Sequence, residues 1–102
     1  MPISQQNPEK RLKWSKRSIV DREKIGVFYK EEASLLVALE ADKSILAAAK
    51  KLKIDSLAYR VGHKAETREH VMRRFPYILV YRVKGSIVEI LRVLHQAMRY
   101  FN

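Results

Sequence analysis

Two apolar runs that are separated by only three residues constrain the fold of this chain more than any other feature of the sequence. Residues 77–83 and 87–94 are rich in Val, Ile, Leu and Tyr, and the connection Lys84-Gly85-Ser86 lies between them. Apolar runs joined by a short connection that contains Gly are typical of a β-hairpin. Both runs are apolar at odd and at even positions, which predicts a hairpin in the centre of its sheet, covered on both faces.

The first half of the chain has mainly a helical period instead. Residues 11–15 alternate as in a short strand, and Ser15 is a suitable N-cap for a helix that continues to about residue 31. A second helix is predicted from about residue 32 to residue 51, because this segment is rich in Ala, Leu, Glu and Lys. The leucines of this second helix are expected in the core.

After the helices the period changes to that of strands. Residues 57–61 and 67–74 are predicted as two further strands, with a break at Gly62. The order of elements predicts one α+β domain over residues 10–102, in which a helical hairpin packs on a small twisted antiparallel β-sheet. Residues 1–9 are polar and are expected to form a flexible N-terminal arm.

The charge of the chain is large and unevenly distributed. The formal net charge is +10 over 102 residues, and it falls as +1 on residues 1–42 and +9 on residues 43–102. Such asymmetry indicates a binding face for a polyanionic partner, either a nucleic acid or an acidic protein. The chain has no cysteine, no apolar stretch long enough to span a bilayer and no apolar signal core, so a cytoplasmic protein is expected.

The predicted hairpin also predicts which side chains meet at its end. A three-residue turn places Phe75 opposite His95. Arg73 then lies on the same face as a diagonal neighbour of His95, and the tail residues 99–101 follow at the same end of the sheet. Histidine transfers protons near neutral pH and arginine binds phosphate oxygens bidentately, so this pair suits metal-independent cleavage of RNA. The alternative is that His95 is a structural side chain at the end of a strand.

Two other patterns leave alternatives open. Arg68, His70, Met72 and Arg74 alternate along one strand, where they either follow a phosphate backbone or line an exposed strand edge that repels aggregation. The histidines show no zinc spacing, since His63 and His70 are seven residues apart. No metal and no cofactor is therefore predicted.

The C-terminal half resembles a known family. The runs T-R-E-H-V at residues 67–71, F-P-Y-I-L-V-Y-R-V at residues 75–83 and I-V-E-I-L-R-V-L-H at residues 87–95 resemble the RelE/ParE superfamily. These proteins are the toxins of type II toxin–antitoxin modules, often called plasmid stabilisation proteins. The resemblance is strong over about residues 59–95, and it implies the same α+β fold.

The resemblance implies one of two activities. RelE-like toxins are ribosome-dependent endoribonucleases, or mRNA interferases, whereas ParE-like toxins share the fold, poison DNA gyrase and need no nuclease centre. In both branches a cognate acidic antitoxin neutralises the toxin by wrapping across its basic and apolar surface. The expected partners are therefore an antitoxin together with the ribosome and mRNA, or with gyrase.

Residue by residue, the resemblance assigns a nuclease site. Arg73 matches an arginine before the long central strand, His95 matches a strand-end histidine, and Tyr100 matches a C-terminal aromatic residue. The chain departs from the pattern at Ala97 and Met98, because related sequences commonly carry arginine there. The residues expected to hold the RNA backbone are Lys64, Arg68, Arg74 and Arg99.

The sequence therefore yields three hypotheses. The first is a toxin that cleaves mRNA on the ribosome, with Arg73 stabilising the phosphorane, His95 as general acid or base and Tyr100 orienting a base. The alternative is a ParE-like inhibitor of DNA gyrase, which binds and has no enzymatic activity. The third is an inactive relative that only binds an antitoxin or a nucleic acid.

Overall fold

The computed structural model describes residues 9–62 and 64–97. The strands form one five-stranded sheet in the order β1-β5-β4-β3-β2. The elements are β1 (Arg11–Trp14), α1 (Lys16–Glu32), α2 (Leu35–Asp55), β2 (Arg60–Val61), β3 (Arg68–Val71), β4 (Tyr77–Lys84) and β5 (Ile87–His95). The predicted α+β architecture is confirmed. It differs in one respect: β1 pairs with β5 in parallel, so the sheet is mixed.

The central hairpin has a shorter turn than the sequence predicts. Lys84 pairs with Ile87, so the turn contains two residues, and Gly85 adopts a φ of 57° that favours glycine. A register shift follows between Val80 and Tyr81, with two residues of β5 opposite one residue of β4. As a result, the residue that faces His95 is Tyr77. The predicted pairing of Phe75 with His95 is wrong.

Each helix begins at a serine cap. The Oγ of Ser15 accepts a hydrogen bond from the Ser18 N–H at 3.1 Å, as the sequence predicts for α1. The second cap was not predicted: the Oγ of Ser34 accepts from the Val37 N–H at 3.1 Å, and α2 therefore starts later and runs on to Asp55. No helix within the described residues is long and apolar enough to cross a bilayer.

The core lies between the helices and one face of the sheet, which we call the helix-side face. Leu79 and Tyr81 on this face are fully buried, as are Ala41, Ala49 and Leu52 on α2. The predicted leucine core of α2 is only partly correct. Its exposed large side chains include Leu35 at 58%, Leu36 at 75% and Leu39 at 58%. Small alanines face the sheet instead, because they allow the helix to approach it closely.

The other side of the sheet is the open face. It carries the alternate residues of the same strands, including the cross-strand pairs Ile78 with Leu94 and Val80 with Arg92. Ile78 is fully buried although it belongs to this face, whereas Val80 is partly exposed. The prediction of a hairpin covered on both faces is therefore correct at Ile78 and only partly correct at Val80.

The first helix closes the edge of the sheet that β1 leaves uncovered. β1 ends opposite Ile90, and from there the Ser15 hydroxyl donates to the Leu91 carbonyl at 2.8 Å. Further along α1, the Asp21 carboxylate accepts from the Val93 backbone N–H at 2.9 Å and from the Arg92 guanidinium at 2.8 and 3.0 Å. A side chain of α1 thus replaces the missing strand partner.

Candidate functional site

The two members of the predicted nuclease pair lie near Tyr77, the first residue of β4. Tyr77 of β4 pairs with His95, while the Tyr77 carbonyl accepts from the Met72 N–H at 2.9 Å on its other side. Arg73, next to Met72, is exposed in the connection between β3 and β4. The side chain of Gln96, which follows His95, donates to the Met72 carbonyl at 3.5 Å. The register that made Arg73 a diagonal neighbour of His95 does not hold, because Tyr77 takes the place of Phe75 opposite His95.

The surroundings of Arg73 and His95 also differ. Arg73 lines a cavity between α2 and β3, here called the α2–β3 cavity, whose lining does not include His95. His95 is exposed, its Nδ1 accepts from the Ala97 N–H at 3.1 Å, and its ring lies edge-on to Tyr77 at 5.6 Å. The remaining predicted residues of this centre, Arg99 and Tyr100, lie outside the described residues.

The residues predicted to hold RNA backbone have different roles. Arg68 donates to the Tyr59 carbonyl at 2.8 Å, so it fastens the segment before β2. Arg74 forms an ion pair with Glu40 of α2 at 2.8 Å. Lys64 is exposed and lines a cavity on the open face of the sheet. Of these three, Lys64 therefore presents the charge that is available to a partner.

The cavity on the open face, here called the open-face cavity, combines an apolar floor with a basic rim. Its volume is about 330 Å³, and Val80, Leu91 and Leu94 line it. Its rim includes Lys64 and also Lys16 and Arg17 of the first turn of α1. This combination fits a segment that presents apolar side chains next to carboxylates.

The electrostatics of this rim favour an anionic partner. Asp21 neutralises Arg92 through two hydrogen bonds, and these bonds together with the Asp21 charge keep the pKa of Arg92 above its ordinary value, although burial lowers it. Lys16 and Arg17 have no ion pair among the described residues. They also stand at the positive end of the dipole of α1, whose first turn holds no acidic residue. An incoming carboxylate relieves this concentration of positive charge.

Within residues 9–62 and 64–97, no three His, Asp or Glu side chains group as ligands for an ion. The charged side chains that line each cavity are mostly cationic, with Glu69 as the one carboxylate in each lining.

Sequence reasoning missed Lys16 and Arg17. The available signal was two basic residues directly after the predicted N-cap Ser15, where acidic residues are usual. Their place on the rim depends on the parallel pairing of β1 with β5, which brings the start of α1 beside Leu91. No local pattern in the sequence indicates that pairing.

Comparisons with known proteins agree with this fold. The family described as the ParE toxin of type II toxin–antitoxin system, parDE, matches residues 12–100. A chain of the chromosomal ParDE toxin–antitoxin system from P. aeruginosa is 25% identical, with a TM-score of 0.78 over 85% of this chain and 96% of that chain. A chain of the RelBE2 toxin–antitoxin complex from Mycobacterium tuberculosis is similar in fold, at 19% identity and a TM-score of 0.61, over 87% of this chain and 93% of that one. No curated protein matched in sequence.

Proposed function

The chain belongs to the ParE toxin family of type II toxin–antitoxin systems, and from this premise we propose that it inhibits growth by binding DNA gyrase. The observation that carries the proposal is the match of the ParE toxin family over residues 12–100, together with the similarity to a chain of a ParDE system. Cleavage of RNA needs a phosphate-binding cation and a proton-transfer group at one phosphodiester. The register differs from the one on which the predicted placement of Arg73 beside His95 rested, and gyrase binding requires no such centre.

We further propose that an acidic segment of the antitoxin occupies the open-face cavity. Apolar side chains of that segment would cover Val80, Leu91 and Leu94, and its carboxylates would pair with Lys16, Arg17 and Lys64. The support is the combination of apolar floor and basic rim, together with the solved toxin–antitoxin assemblies that have the same fold. Charges at such a rim mainly raise the rate of association and make it depend on salt.

Two measurements on the same induced cells distinguish the target. The gyrase hypothesis predicts that purified protein abolishes supercoiling by gyrase, and that mRNA from induced cells shows no new 5′ ends in primer extension. The variant His95→Ala is expected to inhibit growth as strongly as the wild type. Codon-linked cleavage of mRNA that disappears in His95→Ala would refute the gyrase hypothesis.

Cleavage of mRNA on the ribosome is the second candidate. The observation that favours it is the exposure of His95 at the end of β5, directly before the tail that contains Arg99 and Tyr100. For this candidate Tyr100→Phe and His95→Ala must each reduce cleavage. Gyrase activity must then remain unaffected by the purified protein.

The antitoxin site is tested by reversing charges on its rim. The double variant Lys16→Glu/Arg17→Glu is expected to weaken antitoxin binding roughly tenfold, about 1.4 kcal/mol, and to flatten its salt dependence. The double variant Lys43→Glu/Lys50→Glu, at two exposed positions of α2, makes the same change of net charge; it is the matched control and is expected to change affinity little. An equal effect of both changes would show that only the overall charge matters, which contradicts the site.

A further inference from the structure

The α2–β3 cavity is a second basic feature, on the helix side of the sheet. Its volume is about 600 Å³. The charged and aromatic residues in its lining are Lys51, Tyr59, Arg60, Glu69, His70, Arg73 and Arg74. Four of these are permanent cations and only one is a carboxylate, so the lining carries an excess of positive charge.

Two of the four cations are already neutralised. Arg60 pairs with Glu69 at 2.9 Å, and Arg74 pairs with Glu40 at 2.8 Å. Lys51 and Arg73 have no ion pair among the described residues. The cavity therefore holds about two positive charges without a counter-charge, one supplied by α2 and the other by the connection between β3 and β4.

His70 supplies a second, independent observation. Its ring lies 4.2 Å from that of Tyr59, and its Nδ1 is buried with no hydrogen-bond partner among the described residues. Burial lowers the pKa of His70, and the charge of Lys51 lowers it further, which favours the neutral form of the ring. Since a buried donor without an acceptor is costlier than a buried lone pair, the proton belongs on Nε2, which is then a hydrogen-bond donor.

We propose that the α2–β3 cavity binds a phosphate group. Lys51, Arg73 and the Nε2–H of His70 would donate to it from three different elements or turns. A phosphate carries up to two negative charges and several acceptor oxygens, which match two uncompensated cations and a neutral donor. A single carboxylate leaves one of those charges unbalanced. This inference does not depend on whether gyrase or the ribosome is the target.

The test is an NMR titration of the His70 imidazole and of the Arg73 amide with inorganic phosphate. Saturable shifts of both signals are expected. Lys51→Gln and Arg73→Gln are each expected to weaken binding roughly tenfold. Lys43→Gln removes the same charge from α2 outside the cavity and is expected to leave binding unchanged.

The source of the phosphate is distinguished in a second arm. A short single-stranded DNA at the same concentration of phosphate groups replaces the inorganic ion. Tighter binding at His70 assigns the site to a nucleic-acid backbone, and equal or weaker binding assigns it to a free phosphate. The proposal is overturned if phosphate gives no saturable shift, if acetate gives the same shift, or if Lys43→Gln weakens binding as much as Lys51→Gln.

Discussion

Replacing Asp21 with alanine is expected to destabilise the protein strongly. The Asp21 carboxylate accepts three hydrogen bonds, two from the Arg92 guanidinium and one from the Val93 backbone N–H. The exposed fractions of the Arg92 and Asp21 side chains are only 20% and 12%. The variant leaves the Val93 N–H without its acceptor at an edge where β1 has already ended.

The magnitude follows from this geometry. Removing one partner of a buried ion pair costs about 3–5 kcal/mol. The guanidinium of Arg92 regains some solvation through its exposed fifth, so the low end, about 3 kcal/mol, is expected for Asp21→Ala. The matched control is Asp42→Ala. Asp42 also binds an arginine bidentately, Arg22 at 2.9 and 3.0 Å, but the exposed fractions there are 23% and 38% and no backbone group is involved.

The control Asp42→Ala is expected to lower the free energy of unfolding by less than about 1 kcal/mol. Arg22 also keeps its contact over the Trp14 ring at 4.6 Å when Asp42 is removed. The free energies of unfolding of the two variants, measured in urea, should therefore differ by about 2 kcal/mol. Hydrogen exchange of the Val93 amide should accelerate in Asp21→Ala alone. Equal losses of stability in the two variants, with Val93 still protected, would refute the reasoning that α1 closes the strand edge.

Two further predictions concern titration and the backbone. Because burial and Lys51 lower the pKa of His70 from 6.5, the unfolded chain binds this proton first, and stability falls as pH decreases below about 6.5 towards the lower native pKa. Between pH 7.5 and 5.5, the free energy of unfolding in urea should fall less for His70→Gln than for the wild type. An equal fall in both proteins would contradict this prediction. Gly85→Ala at a φ of 57° should cost about 1 kcal/mol and lower the Tm by roughly 4–8 °C, whereas Gly26→Ala, with open space in the middle of α1, should raise it. A Tm change of the same sign in both variants would contradict the second prediction.

The sequence predicted which elements form, but not how the central strands align. Apolar runs are visible in the sequence whichever way they pair, so β4 and β5 were found nearly to the residue. Lys84-Gly85-Ser86 is compatible with turns of two or three residues, and only the positive φ of Gly85 decides for two. The register shift after Val80 moves the pairing again, and nothing in the local pattern marks it.

The candidate site was predictable to a similar degree. Lys64 was predicted to hold RNA backbone because it is a cation beside the recognisable strands; it lines the open-face cavity, and its role stays a prediction. The row from Arg68 to Arg74 does not follow one strand, because β3 ends at Val71, and its outer members are occupied by a backbone carbonyl and by Glu40. Whether an arginine is available depends on partners distant in sequence, and a single sequence does not contain that information.

The parallel pairing of β1 with β5 has a consequence for the order in which the protein is synthesised. β5 lies between β1 and β4, although it is the last of the five strands to leave the ribosome. The contacts between α1 and α2 lie within residues 16–55, so the helical hairpin is expected to form early. Until β5 is made, β1 has no strand neighbour and β4 has only β3. The open-face cavity, which includes Leu91 and Leu94 of β5, is consequently absent during most of translation. Binding of any partner to this surface is therefore expected only after β5 has been synthesised and inserted between β1 and β4.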